Sequence, residues 1–224
     1  MAAFDLVMFD LDGTLVETAP EIMDAVNDTL AQYRLPLVTQ QQVNDWIGHG
    51  TLSLLINAVA FAKNTSPEAV RQSTFLPEMV AHYNRHYNAR CGTNSRLYPG
   101  VQDALTGLRA QGVKLAVVTN KESRYTDVVM RAHKLHGCVD KVISGDTLPT
   151  KKPDPAGVLA CLRDFDVAAE RALFVGDSSI DVATARNAGV AVWVLPYGYN
   201  MGQAIEGCGA DRVIQSCAEL LQAA

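Results

Sequence analysis

The sequence predicts an α/β fold, a doubly wound parallel sheet with an all-helical block inserted after its first strand, and three observations carry that reading. Short, nearly continuous apolar runs recur at the start of the chain and through its second half, as fully buried parallel strands do. Helix-like stretches separate them, so strand and helix alternate. Between about residues 18 and 96 the alternation stops, and only helical periodicity remains.

Taken in order, residues 4–9 form the first apolar run and end at Asp10. Helices are then expected over 20–34, 39–47, 51–63, 67–73 and 76–90, where Leu, Ile, Val and Met recur at three-to-four spacing. Strands are expected at 114–118, 141–143, 172–175 and 191–195, with helices at 101–110, 123–135, 155–164 and 180–188. Gly112, Gly137 and Gly189 stand where helix C-caps belong. The division that follows is an α/β core over 1–16 and 97–224 and a helical domain over 17–96. Open sheets of this kind bind ligands at the carboxyl ends of their strands.

Composition narrows the function. With 224 residues, 48% hydrophobic and 19% charged, the chain is neither disordered nor a disulfide scaffold. Its net charge of −5 gives no global basic field toward nucleic acid or an anionic membrane. Five cysteines, an odd number with no C-x-x-C pair, predict reduced thiols in a cytoplasmic protein and no zinc centre. No basic leader precedes Asp5, and Gly, Asn or Pro breaks every long uncharged run, so a soluble protein is expected.

The polar residues at the strand ends carry the chemistry. The first strand delivers Asp10 and Asp12, two apart and therefore on one side of an extended segment, followed by Gly13 and Thr14 in a tight turn. Later ends deliver Thr119-Asn120-Lys121 and Gly176-Asp177-Ser178-Ser179-Ile180-Asp181, while Lys152 lies in a Lys-Lys-Pro-Asp-Pro loop. If these strands are neighbours, several carboxylates, a hydroxyl and an ammonium converge at one mouth of the sheet. Carboxylates that close raise one another's pKa unless a cation neutralises them, and a hard ion such as Mg²⁺ prefers oxygen ligands. Such a site suits a phosphoryl group whose charge must be balanced during transfer.

The D-x-D-G-T-L, T-N, K-P and G-D-S-x-x-D segments, in that order from Asp10 to Asp181, resemble the four motifs of the haloacid dehalogenase superfamily of phosphohydrolases. The helical insertion resembles that family's cap domain on a Rossmann-like core. Among capped members the chain is most similar to the bacterial phosphoglycolate phosphatases, through its V-E-T-A-P stretch, Gly48-His49-Gly50, the K-P-D-P loop and Gly198-Tyr199-Asn200. The resemblance implies an Mg²⁺-dependent phosphomonoesterase hydrolysing 2-phosphoglycolate, a small phosphorylated metabolite, as a monomer or homodimer. It also leaves open a sugar-phosphate phosphatase, a pyrophosphatase or a β-phosphoglucomutase. It implies Asp10 as nucleophile and Asp12 as acid and base. Thr119 and Asn120 would hold phosphoryl oxygens, and Lys152 would balance their charge. Asp177 would complete a metal shell with Asp10 and the Asp12 carbonyl, Asp181 would support it from behind, and Gly48, His49 and Gly50 would face the substrate from the cap.

Plainer readings stand beside these. Asp181 fits a first-turn helix carboxylate equally well. Lys151 or Lys121 could take the charge role of Lys152, and Gly48-His49-Gly50 could be an ordinary helix-breaking turn. His82 and His86, one helical turn apart, read as a solvated face because no third ligand stands near. Glu17 and Thr18 depart from the Asp and Ser common at these positions in relatives.

Overall fold

The structure is a computed structural model that describes residues 4–223. The chain opens with β1 (Leu6–Phe9) and enters the helical block through a short strand, β2 (Val16–Glu17). The block contains α1 (Ala19–Gln32), α2 (Gln40–Trp46), α3 (Thr51–Ala62), α4 (Pro67–Arg71) and α5 (Leu76–Arg90). It is left by β3 (Arg96–Leu97), which pairs antiparallel with β2. Alternation then resumes with α6 (Val101–Ala110), β4 (Lys114–Val118), α7 (Ser123–Ala132), β5 (Lys141–Ile143) and α8 (Ala156–Phe165). The chain finishes with β6 (Ala172–Gly176), α9 (Ser179–Ala188), β7 (Ala191–Val194), β8 (Arg212–Val213) and α10 (Leu220–Ala223).

The main sheet has six strands in the order β5-β4-β1-β6-β7-β8, and every pairing in it is parallel. The chain fills the β4 side of β1 first and then crosses to the β6 side. The switch point therefore lies at the carboxyl ends of β1, β4 and β6, where Asp10, Thr119 and Asp177 stand. Alternate residues of β1 face opposite layers. Val7 and Phe9 join one apolar cluster with α6 and α7; Leu6 and Met8 join another with α8 and α9. This two-sided burial is why the strands read as unbroken apolar runs.

In the helical block α1 and α5 form the most extensive helix pair. Arg90 reaches Asp28 across it with two hydrogen bonds, at 2.8 and 3.2 Å. The apolar core of the block, including Ile22, Leu55, Val59 and Tyr83, is continuous with the cluster on one face of the sheet. His82 meets the Tyr33 hydroxyl at 2.8 Å and His86 meets Gln32 at 3.1 Å. Both histidines are partly exposed on this face, and each also meets α1 or its C-cap.

Several sequence-based boundaries shift. The helix expected over 123–135 ends at Ala132, and the left-handed residue beyond it is Lys134 (φ 57°), so Gly137 is not its cap. Gly112 and Gly189 do take left-handed conformations at helix ends. The β2–β3 ribbon and β8 went unforeseen because two-residue strands show no periodicity. All five cysteines are free thiols, and among the described residues no helix is long and apolar enough to cross a membrane.

Candidate active site

Asp10 leaves the end of β1 half-buried, its Oδ1 accepting the Leu11 amide at 2.7 Å. Lys152, buried in the loop before α8, puts its Nζ 2.9 Å from Asp10 Oδ2 and 2.7 Å from Asp181 Oδ1. Asp181 is fully buried, and its other oxygen accepts the Asp177 and Ser178 amides and the Ser178 hydroxyl. It is therefore both the first-turn carboxylate of α9, in a capping box with Ser178, and the anchor of Lys152. Of the three lysines weighed for the charge role, Lys152 stands against Asp10, Lys151 is exposed, and Lys121 pairs with Asp12.

Asp177 accepts the Thr14 hydroxyl at 2.5 Å and the Tyr199 amide at 2.6 Å. Two glycines make room for it: a Cβ on Gly13 or Gly198 would collide with its carboxylate, and Gly13 also has φ 86°. Asp10, Asp177 and Asp181 can present oxygens within 4.8 Å of one another. Burial pushes Asp10 up to about 6, with Lys152 opposing and Asp181 and Asp12 adding to the rise. Burial, Asp181 and Asp10 raise Asp177 well above the ordinary carboxylate value. Burial works against the Lys152 ammonium too, but the two aspartates outweigh it and hold its pKa above that of free lysine.

Three carboxylates thus face one ammonium, and the set lacks positive charge. All its remaining donors are oxygens, which fits a hard divalent cation. Asp181 has little left to offer, since its Oδ2 already takes three donors, its Oδ1 holds Lys152, and it does not line the cavity. Asp10 and Asp177 keep free lone pairs toward the cavity that they line.

Asp12 points to the other side. Its Oδ1 accepts the Thr18 hydroxyl at 2.7 Å, and Lys121 Nζ lies 3.1 and 3.2 Å from its two oxygens. Lys121 in turn donates to the Tyr87 hydroxyl of α5 at 2.6 Å. Thr119, 4% exposed, accepts the Lys121 amide through its hydroxyl oxygen, which leaves the hydroxyl proton free. Asn120 donates through Nδ2 to the Lys152 carbonyl at 3.0 Å and to the Gly48 carbonyl at 3.4 Å, tying the helical block to the catalytic loop. Its Oδ1 is buried with no partner.

Asp10, Asp12, Asp177, Thr119, Asn120, Lys121 and Lys152 line a cavity roofed by Ile22, Ile47, Leu54, Tyr83 and Tyr87. Gly48 and Gly50 line it as well; His49 is exposed and does not. Three contributors escaped sequence reasoning: Tyr87, the Lys121–Asp12 pair and Tyr199. Only Lys121 and Tyr199 carried any signal, as neighbours of Thr119-Asn120 and Gly198.

Comparison with known proteins places the whole chain. Residues 7–195 match the haloacid dehalogenase-like hydrolase family. A phosphoglycolate phosphatase of Haemophilus influenzae is 36% identical over 218 residues, 97% of each chain. Another, from Nitrosospira multiformis, is 38% identical over 216 residues, 95% of this chain and 92% of that one. The crystal structure of a predicted phosphoglycolate phosphatase from Haemophilus somnus superposes with a TM-score of 0.92 at 34% identity, covering 99% of this chain and 98% of the other. The chain belongs to the haloacid dehalogenase-like hydrolase family.

Proposed function

We propose that this hydrolase is an Mg²⁺-dependent phosphomonoesterase that cleaves 2-phosphoglycolate to glycolate and phosphate through an aspartyl-phosphate on Asp10. The observation that carries the reading is Lys152 Nζ, held between Asp10 and Asp181 at 2.9 and 2.7 Å beside the unbalanced Asp177. The full-length relatives named phosphoglycolate phosphatase support the substrate.

In this reading the Asp10 carboxylate attacks phosphorus, the bond to the glycolate oxygen breaks, and Asp12 gives that oxygen its proton. Asp12 then takes a proton from the water that attacks the acyl phosphate, releasing phosphate and restoring Asp10. The Thr119 hydroxyl and the Asn120 amide hold phosphoryl oxygens, while Lys152 balances their charge and fixes Asp10. Asp10, Asp177 and the Asp12 carbonyl would hold Mg²⁺, with Asp181 orienting the set from behind. The ion supplies charge neutralisation at the phosphoryl group. Residues 17–96 act as a cap, and Gly48 and Gly50 bring its backbone to the substrate.

Hydrolysis rates over a panel of phosphate esters and pyrophosphate, with and without Mg²⁺, test this. The expected profile is dominated by 2-phosphoglycolate and vanishes on chelation. A profile led by hexose phosphates or pyrophosphate overturns the substrate, and metal-independent turnover overturns the cofactor.

A further inference from the structure

We propose that Lys121 is the specificity residue that binds the carboxylate of the leaving group, an inference that rests on the reading of 2-phosphoglycolate as substrate. That substrate carries a dianionic phosphoryl group and, one carbon beyond the bridging oxygen, a carboxylate. A carboxylate that leaves water beneath an apolar roof and beside Asp12 needs a cation.

Among the described residues two cations line the cavity, Lys152 and Lys121. Lys152 is wedged between Asp10 and Asp181 on the phosphoryl side, its side chain 3% exposed. Lys121 stands on the other side, against Asp12, where the leaving oxygen must receive its proton. A carboxyl group one carbon from that oxygen falls within reach of Lys121 Nζ, which lies 3.1 and 3.2 Å from the Asp12 oxygens.

The ammonium is built in rather than incidental. Its side chain is 5% exposed, its Nζ lies 5.0 Å from the Tyr87 ring centre, and the Tyr87 hydroxyl takes one of its N–H groups at 2.6 Å. The two Asp12 oxygens can share a second N–H, which leaves the third for a ligand. Burial disfavours the charge, but Asp12 together with Cys91 and Glu21 outweighs it and holds the Lys121 pKa above that of free lysine. The surrounding roof of Ile22, Leu54 and Tyr83 offers no competing cation. Lys151, whose Nζ stands near Gly50, is exposed and outside the lining.

The test compares 2-phosphoglycolate with ethyl phosphate, which has the same length but a neutral tail. Loss of a hydrogen bond to a charged group in Lys121→Met should cut the ratio of the two kcat/KM values by about 30- to 100-fold, chiefly through KM for 2-phosphoglycolate. Any misplacement of Asp12 slows both esters and cancels in the ratio. Lys121→Arg should restore part of the preference, and Tyr87→Phe should lower it several-fold without removing the charge. A Lys121→Met enzyme that keeps the wild-type ratio overturns the assignment, as does a Lys151→Met enzyme that loses it. A wild-type enzyme with no preference for 2-phosphoglycolate instead overturns the substrate reading on which the proposal rests.

Discussion

The floor and the roof of the cavity are made on opposite terms. The floor is the strand-end mouth, where Asp10, Asp12, Asp177, Lys121 and Lys152 each hold two or more polar partners. The roof is Ile22, Ile47, Leu54, Tyr83 and Tyr87, an apolar surface whose polar link to the floor runs through Tyr87. A substitution in the floor leaves a buried charge without its partner. One in the roof changes a shape. The two regions should therefore fail differently, the floor in turnover, Lys121 excepted, and the roof in selectivity.

The largest effect belongs to Asp10. An amide cannot form the acyl phosphate, so Asp10→Asn should lower kcat by a factor on the order of 10⁴ or more. A variant that kept a tenth of wild-type activity would mean that water attacks directly. Asp12→Asn keeps the nucleophile but loses both proton transfers. With an aryl phosphate, whose leaving group needs no proton, it should release one burst of product and then stall as a phosphoenzyme. Steady turnover without that intermediate would remove Asp12 from its two roles.

The same floor should be a liability for stability when no cation is bound. Asp10 in the folded protein keeps its proton up to about pH 6, whereas an ordinary aspartate releases it near 3.8. Between those values the folded state binds more protons than the unfolded chain, so its stability falls as pH rises through that window. Above it the loss is complete and amounts to at most about 3 kcal/mol. Asp10→Asn does not titrate and escapes the loss. In metal-free protein, its melting temperature relative to wild type should therefore be several degrees higher at pH 7.5 than at pH 4. Added Mg²⁺ should close the gap by stabilising the wild type more. A variant that gains nothing between the two pH values would show that the charge imbalance around Lys152 is already relieved within the protein.

The floor was also the legible part of the molecule. Asp10, Thr119 and Asp177 each follow a short apolar strand, and because β1, β4 and β6 are neighbours, residues far apart in sequence meet without any special signal. What lay hidden was pairwise. Lys121 and Asp12 are 109 residues apart, and Tyr87 reaches Lys121 from a helix whose apolar stripe reads as plain core. Gly137 misled because glycine is the usual left-handed residue after a helix, whereas Lys134 occupies that conformation here. Gly48-His49-Gly50 was expected to face the substrate as a segment; its two glycines line the cavity, while the His49 side chain is exposed.

That loop gives the smallest effect and separates roof from floor most finely. Gly50 is the N-cap of α3 with φ 88°, and a Cβ there would stand 3.2 Å from Lys151 Nζ, the movable end of a flexible side chain. The space is therefore nearly available, and the main cost of Gly50→Val is backbone strain of about 3 kcal/mol, because φ 88° with ψ 169° is a conformation kept almost wholly for glycine; moving the loop relieves it. Displacing the loop moves the backbone that closes over the leaving group and touches none of the floor charges. Hydrolysis of 2-phosphoglycolate should fall several-fold, while an activated aryl phosphate, which needs only the floor, should change less than about twofold. Equal losses on both substrates would mean that the loop governs closure as a whole. No loss on either would move selectivity away from residues 48–50 and leave it to Lys121 and the apolar roof.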